Sequence, residues 1–463
     1  MFPLSCATCA LCRRPVSFRT ISRSMSASAN PQVQTQVFNG EKPRRHPGLT
    51  NLKTLHLPVE LQKTAQFIIQ RAVIKQLPER ADSFTNFLWS RKRAVEDSDL
   101  QQKAKSLENE LWLEALQKGG DIDDETLNDR ITKKVLSELR RTTYHWTPMK
   151  YDEELSMLYM AARLAGGYAA VMRALNEIKK RDPSFAPYSL LDFGSGLGTV
   201  VWAAHQHWGD TLKEKVCVDS SGHMNTLAER LLKGDDKQAE LSIKHVYFRQ
   251  FLPVSPKVQF DLVTAAFTLS EIPYRKDREE AIFTLWRKTS SYLVLVENGT
   301  KEGHQILMEA RDTLLKKQEK IIHDTRAPSV FAPCPHELTC PKLMQEHVVP
   351  CNFQQHYHPL PLPGRRDRQT EKFSYLIVAR SEPSDPSEVK SSSVVWARLI
   401  APVLRRSRHV HCHMCCADGQ LQHKVVTARK NSREVYRCAR TSDWGDQLPV
   451  MKEVEGDVES DSE

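Results

Sequence analysis

Two groups of residues in this 463-residue chain have types and spacing that could do chemistry. The first is a glycine turn. Residues 190–199 read LLDFGSGLGT, with Asp192, Gly194, Gly196 and Gly198 at alternate positions. The apolar run before it predicts a strand, and TVVWAAHQHW after it predicts a helix. A glycine-rich turn between the two lets a ligand approach the backbone closely. Asp219 ends the next apolar run, VCVD, 21 residues beyond Gly198. A carboxylate there can accept from both hydroxyls of a vicinal diol. The competing role for Asp219 is a helix N-cap, because Ser220 and Ser221 follow it.

The second group is a set of thiols. Residues 327–351 read APSVFAPCPHELTCPKLMQEHVVPC, which places Cys334, Cys340 and Cys351 within 18 residues of a proline-rich loop. A fourth thiol is available from HVHCHMCC, as Cys412, Cys415 or Cys416. Four thiolates suit tetrahedral zinc or an iron–sulfur cluster, and spacing alone leaves both open. His409, His411 and His413 in the same segment keep zinc in play.

These groups need elements to hold them. Residues 51–182 carry apolar positions at helical spacing over 59–77, 97–118, 124–141 and 151–180, the last softened at Gly166–Gly167. Strands are expected over 188–193, 215–219, 244–251, 260–266 and 292–297. Helices between them, at 199–208, 223–233 and 278–289, predict a parallel sheet covered on both faces. A helix follows at 304–318, and 371–380 is expected as an antiparallel closing edge. The α/β domain thus spans 183–380, including the cysteine loop 327–351. After a polar linker at 381–393, short strands at 409–413, 424–427 and 433–437 predict a small β-rich domain over 394–450, entered past Arg398, Arg405, Arg406 and Arg408.

The ends differ in charge. Residues 1–40 hold Arg13, Arg14, Arg19 and Arg23 and no acid, the composition of a mitochondrial transit peptide, expected over 1–23 with a linker over 24–50. Cys6, Cys9 and Cys12 fall inside that presequence. Residues 451–463 form an acidic tail with Glu453, Glu455, Asp457, Glu459, Asp461 and Glu463. The net charge is +9, so the remainder is basic enough for a nucleic-acid surface. The basic pairs and triplets of the helical region, such as Arg91–Lys92–Arg93, read first as solvated faces. No apolar run reaches the ~20 residues of a membrane span, so none is expected.

The D-x-G-x-G-x-G turn resembles motif I of class I S-adenosylmethionine-dependent methyltransferases. That resemblance implies a Rossmann-like α/β fold, with Asp192, Gly194, Gly196, Gly198 and Asp219 holding S-adenosyl-L-methionine. Amino-group methyltransferases carry an Asn/Asp-Pro-Pro-aromatic turn after the fourth strand; here residues 267–271 read FTLSE. The cysteine pairs used for cytosine methylation are missing as well. Glu271 and Glu297 are the remaining acids, and no catalytic residue is assigned.

Taken with APCPHELTCP, LVLVENGT, HVHCHMCCADG and the terminal YRCAR and WGD, the chain resembles the mitochondrial methyltransferase-like proteins that assemble the small ribosomal subunit. The resemblance implies a matrix protein, expected as a monomer, that binds small-subunit rRNA and the assembling subunit's proteins. It also implies a [4Fe-4S] cluster on Cys334, Cys340, Cys351 and Cys415, the last chosen because relatives place that cysteine six residues after a histidine matching His409. An active rRNA methyltransferase is the alternative reading; a zinc-bearing RNA-binding module in the cytosol is a third.

Overall fold

The structure is a computed structural model that describes residues 43–451 apart from 73, 119–123, 235–239, 256, 317–323, 325, 381–393 and 432. The expected presequence with Cys6, Cys9 and Cys12, the linker at 381–393 and the six tail acids lie outside the described residues.

Five helices come first: α1 (Val59–Arg71), α2 (Leu77–Ser90), α3 (Asp97–Lys118), α4 (Asp124–Thr142) and α5 (Glu153–Arg181). The expected single helix over 59–77 ends early, and a second starts where Gln76 adopts a left-handed φ of 53° and Pro78 sits in the first turn. α5 runs unbroken through Gly166–Gly167. Its N-terminus is capped by the Asp152 carboxylate, which accepts from the Leu155 N–H at 2.8 Å. Gly166 serves packing rather than a break: a Cβ there would lie 2.3 Å from a Glu371 carboxylate oxygen. α5 is long and apolar enough to cross a membrane, but 78% of its most apolar window is buried inside the protein. Leu164, Tyr168, Val171, Leu175 and Ile178 share one core with the sheet. At about 1.5–3 kcal/mol for each large apolar side chain, that face anchors the helix.

The sheet then follows the expected alternation: β1 (Ser189–Phe193), α6 (Thr199–Trp208), β2 (Glu214–Val218), α7 (Gly222–Lys233), β3 (Val246–Arg249), β4 (Phe260–Ala266), α8 (Arg275–Arg287), β5 (Thr289–Asn298) and α9 (Lys301–Lys316). Three further strands complete it: β6 (Pro328–Ala332), β7 (Phe353–Tyr357) and β8 (Gln369–Arg380). The order is β3-β2-β1-β4-β5-β8-β6, with β7 also on β8. Strands β1 to β5 are parallel, and β8 runs antiparallel to β5. This is the Rossmann-like class I methyltransferase fold. The order reverses between β1 and β4, where such sheets bind ligands beyond the strand ends. β8 is not the closing edge expected from the sequence. It lies between β5 and β6, and its buried run from Phe373 to Ala379 fits an interior strand.

A second sheet holds β9 (Val394–Leu399), β10 (Leu404–Arg405), β11 (His409–Cys415), β12 (Leu421–Thr427) and β13 (Gln447–Met451). Between β12 and β13, α10 (Arg433–Thr441) replaces the strand expected at 433–437. Val435, Cys438 and Ala439 lie at helical spacing and are buried against this sheet, so tertiary packing overrides the local β-branched preference.

Candidate functional site

The glycine turn joins β1 to α6. Gly194, Gly196 and Gly198 all have positive φ, at 69°, 50° and 71°, where a side chain would be strained. Gly194 is also crowded: a Cβ would come within 2.2 Å of the Thr268 Oγ1. Gly194→Ala should therefore destabilise the protein by about 1–3 kcal/mol. Urea unfolding should show a lower midpoint at unchanged slope.

Asp192 is buried on β1, where its Oδ1 accepts from the Thr264 hydroxyl at 3.1 Å. Its Oδ2 and the buried Ser195 Oγ have no hydrogen-bond partner. Burial pushes the Asp192 carboxyl up to about 7, with the Thr264 bond opposing the shift. Asp219 is not a helix cap; that role belongs to Ser221, whose hydroxyl accepts from the Met224 N–H at 3.2 Å. The Asp219 Oδ2 instead accepts from the Gly196 N–H at 2.8 Å, and its Oδ1 from the Ser221 N–H at 2.9 Å. The acid thus clamps the glycine turn to the start of α7, and each oxygen keeps a lone pair for a hydroxyl. The orphaned, buried Asp192 oxygen beside a turn with three glycines fits a ligand's ammonium, and the spare lone pairs of Asp219 fit a diol, as S-adenosylmethionine would bring.

Beyond the ends of β4 and β5, where a methyl acceptor would enter, the chain closes on itself. Arg91 pairs with Glu271 at 2.5 Å and lies over the Trp146 ring. Arg93 pairs with Glu309. Two of the basic residues read from sequence as a solvated face are therefore pinned inward. Arg163 pairs with Glu371 at 3.0 Å and covers the Phe267 ring. The Ser221 hydroxyl donates to the Tyr151 carbonyl at 2.7 Å, tying the segment after α4 to the cofactor side. The cavity left there, lined by Arg91, Tyr151, Phe267, Glu271 and Glu297, is about 40 Å³. That holds a few waters. Glu297 accepts from the Ser270 N–H at 3.1 Å through Oε1, while its Oε2 has no partner. Burial raises its carboxyl to about 7.

The cysteine loop follows β6, and Cys415 ends β11. Alternation along β11 separates the candidates for a fourth thiol. Cys412 points with Val410 and Met414 into the core of the C-terminal sheet, and Cys416 joins the same core. Cys415 lies on the other face. Burial raises its thiol far above the ordinary range, reinforced by Cys334, Cys351 and Cys340 in that order. Cys351 is raised to about 12 by burial, and Cys334 and Cys340 add to the shift. The fold thus places Cys334, Cys340 and Cys351 of one segment within electrostatic reach of Cys415 of another. Arg311, Arg398 and Lys342 act in the opposite sense on these thiols, as cations that would offset a cluster of thiolates. Two imidazoles border the group: the His336 Nε2 lies 3.3 Å from the Cys415 Sγ and the His304 Nε2 3.8 Å from the Cys340 Sγ. Among the described residues no three of His, Cys, Asp or Glu are close enough to share a single metal ion. The donor set is all thiol, the chemistry that zinc and iron–sulfur sites share.

Sequence reasoning did not find the buried charges that hold these parts in register. Arg398, read as a basic entrance to the C-terminal domain, is fully buried and donates to both Glu177 oxygens, at 2.8 and 3.2 Å. Its Nε donates to the Pro333 carbonyl at 2.9 Å, next to Cys334. The signal available was Glu177 itself, a lone acid on the apolar face of α5. A strap from the N-terminal side completes the joint: the Thr50 N–H donates to the Asp446 carboxylate at 2.7 Å, and His46 bonds Ser442 at 2.9 Å.

The protein-family model described as "Mitochondrial small ribosomal subunit Rsm22" matches residues 153–449. The human protein named "Ribosome assembly protein METTL17, mitochondrial" is 50% identical over 408 residues, which cover 88% of this chain and 86% of the relative. The Saccharomyces cerevisiae "Ribosome assembly protein RSM22, mitochondrial" is 19% identical, over 76% of this chain and 78% of its own length. Among solved structures, the magnesium protoporphyrin IX methyltransferase of Synechocystis PCC 6803 aligns with a TM-score of 0.30 and 13% identity, over 57% of this chain and all of that one. That likeness is too low to argue from. The family match and the human relative together establish that the chain belongs to the Rsm22 family of mitochondrial small-ribosomal-subunit proteins.

Proposed function

We propose that the protein is a non-catalytic assembly factor of the mitochondrial small ribosomal subunit, working in the matrix on small-subunit rRNA and its assembling proteins. The observation that carries this reading is the closure of the acceptor side. Arg91, Tyr151 and Glu271 close the ends of β4 and β5, where a methyltransferase must admit its substrate. The names of the relatives supply the assembly setting.

Asp192, Ser195, the three glycines and Asp219 would hold S-adenosylmethionine, whose sulfonium can supply a methyl group; here the bound cofactor would brace the turn. Cys334, Cys340, Cys351 and Cys415 would hold a [4Fe-4S] cluster, and these thiolates would then cross-link the cysteine loop to the C-terminal sheet. The exposed Arg405, Arg406 and Arg408 beside that sheet suit rRNA phosphates, which makes binding steeply salt-dependent.

The test is methyl transfer from labelled S-adenosylmethionine to an authentic small-subunit assembly intermediate. No transfer is expected from the wild type. Transfer that disappears in Asp192→Ala would establish the active rRNA methyltransferase instead. Metal analysis of anaerobically purified protein separates the zinc alternative, because iron with sulfide is expected and zinc would overturn the cluster.

A further inference from the structure

We propose that a groove at the open edge of the main sheet binds single-stranded RNA, with bases stacked on Tyr188 and Tyr247 and phosphates held by Lys213 and Arg249. The proposal rests on the rRNA-binding reading above and names a surface for it. β3 is the last strand on its side of the sheet and pairs with β2 alone. Val246 is buried against the core, so strand alternation turns Tyr247 and Arg249 outward. The starts of β1 and β2 supply the other wall. The Tyr188 carbonyl accepts from the Lys213 and Glu214 N–H groups at 2.8 and 3.0 Å, which fixes these residues side by side. His245 enters β3 next to them, its carbonyl accepting from the Lys215 N–H at 3.0 Å.

The groove lined by Tyr188, Lys213, Glu214, His245, Tyr247 and Arg249 has a volume of about 510 Å³, against about 40 Å³ for the cavity behind Arg91. Volumes of roughly 300–1,000 Å³ are those of sites that take small-molecule-sized groups. The lining selects the partner. Tyr188 and Tyr247 are 60% and 48% exposed and offer aromatic faces to a planar group. Bases in a duplex are stacked away from such rings, whereas unpaired bases can reach them. Lys213 and Arg249 meet a single carboxylate in the lining, Glu214, so the balance favours a polyanion. Among the described residues neither cation makes an ion pair, which leaves both for phosphate. An apolar protein face laid over the groove would bury those two charges without partners, at high cost. Rings interleaved with cations are how sequence-tolerant single-strand sites are built. The groove opens at the N-terminal ends of β1 and β2, the far ends of these strands from the glycine turn and Asp219, so RNA bound there leaves the cofactor residues uncovered.

The experiment measures binding of a dye-labelled oligouridine to the full-length protein by fluorescence anisotropy across a salt series. Wild type should bind the oligouridine more tightly than an RNA duplex of the same length. Tyr247→Ala should weaken binding about tenfold without changing the salt slope. Arg249→Ala should lower that slope by about 1. Tyr274→Ala removes a ring of similar exposure, 44%, at the start of α8 and should bind as wild type does. Melting curves check the folds, and if Tyr247→Ala melts early, Tyr188→Ala takes its place. Wild-type affinity in the folded Tyr247→Ala and Arg249→Ala variants overturns the groove and leaves rRNA binding to another surface, such as Arg405, Arg406 and Arg408. No RNA binding by the wild type removes the rRNA reading and the groove with it. Variants that keep full RNA affinity but no longer sediment with subunit intermediates would mark a protein-docking face and equally overturn the proposal.

Discussion

Replacing Cys334 with serine should leave protein that carries no iron or sulfide, unfolds early and fails to support assembly of the small subunit. A serine hydroxyl is a hard donor that does not replace a soft thiolate on iron. The effect should be large because the site would tie the loop after β6 covalently to the end of β11. Cys334, Cys340 and Cys351 come from the loop after β6, and Cys415 from the last residue of β11. Loss of a structural metal is among the few single changes that cost more than about 4 kcal/mol. The contrasting variant is Cys412→Ala. Its thiol faces the core of the C-terminal sheet, so iron content should stay at the wild-type level even if stability drops modestly. Iron and sulfide assays on anaerobic protein, with sedimentation of subunit intermediates, read both outcomes. Full iron content in Cys334→Ser, or iron lost from Cys412→Ala and not from Cys415→Ser, would remove the proposed ligand set. Gly196 offers the internal comparison: disrupting the turn there should harm assembly less than losing a thiol.

The parts legible in the sequence were those fixed by local patterns. Parallel strands buried on both faces read as continuous apolar runs, and that pattern alone placed β1, β2, β4 and β5. Glycine at alternate positions pointed to a turn whose backbone a ligand can approach closely, and all three glycines adopt positive φ there. The same rule could have placed β8, because FSYLIVA is too uniformly apolar for an edge, but its late position suggested a closing strand. α10 was read as a strand because REVYRCAR is short and β-branched at Val435; its helical face shows only through Val435, Cys438 and Ala439, which the C-terminal sheet covers. What the sequence could not supply was distance across the fold. Which of Cys412, Cys415 and Cys416 faces the loop depends on the phase of β11 against a sheet built from strands far apart in the chain. Arg91 looked solvated until the fold laid it beside Glu271, 180 residues away.

That limitation is sharpest at Glu177, where the second large effect is expected. Glu177→Gln should lower stability by about 3–5 kcal/mol, as breaking a buried ion pair on one side does. The carboxylate is fully buried and shared. It accepts from Arg398 at 2.8 Å, from Arg173 at 3.0 Å and from the Tyr375 hydroxyl at 3.0 Å, with Arg181 at 3.8 Å. Glutamine keeps the shape but leaves buried guanidinium groups without a counter-charge. The damage should spread, because these partners stand on α5, β8 and β9, and Arg398 also holds the Pro333 carbonyl beside Cys334. Burial alone would raise the Glu177 carboxyl, but Arg398, Arg173 and Arg181 outweigh it and hold it well below the usual carboxylate range. A depressed folded-state pKa gives stability that is complete above the unfolded carboxylate range and is lost as the pH falls below it. Wild type should therefore lose stability in acid more steeply than Glu177→Gln, and the two unfolding midpoints should converge there. The exposed pair Arg80–Glu154, at 43% and 59% side-chain exposure, is the matched control. Glu154→Gln should leave the midpoint unchanged, since solvent screens such pairs. If Glu177→Gln unfolds with the wild type at neutral pH, the buried network is not what holds the C-terminal sheet against the methyltransferase-like core, and the thiol site would have to carry that joint alone.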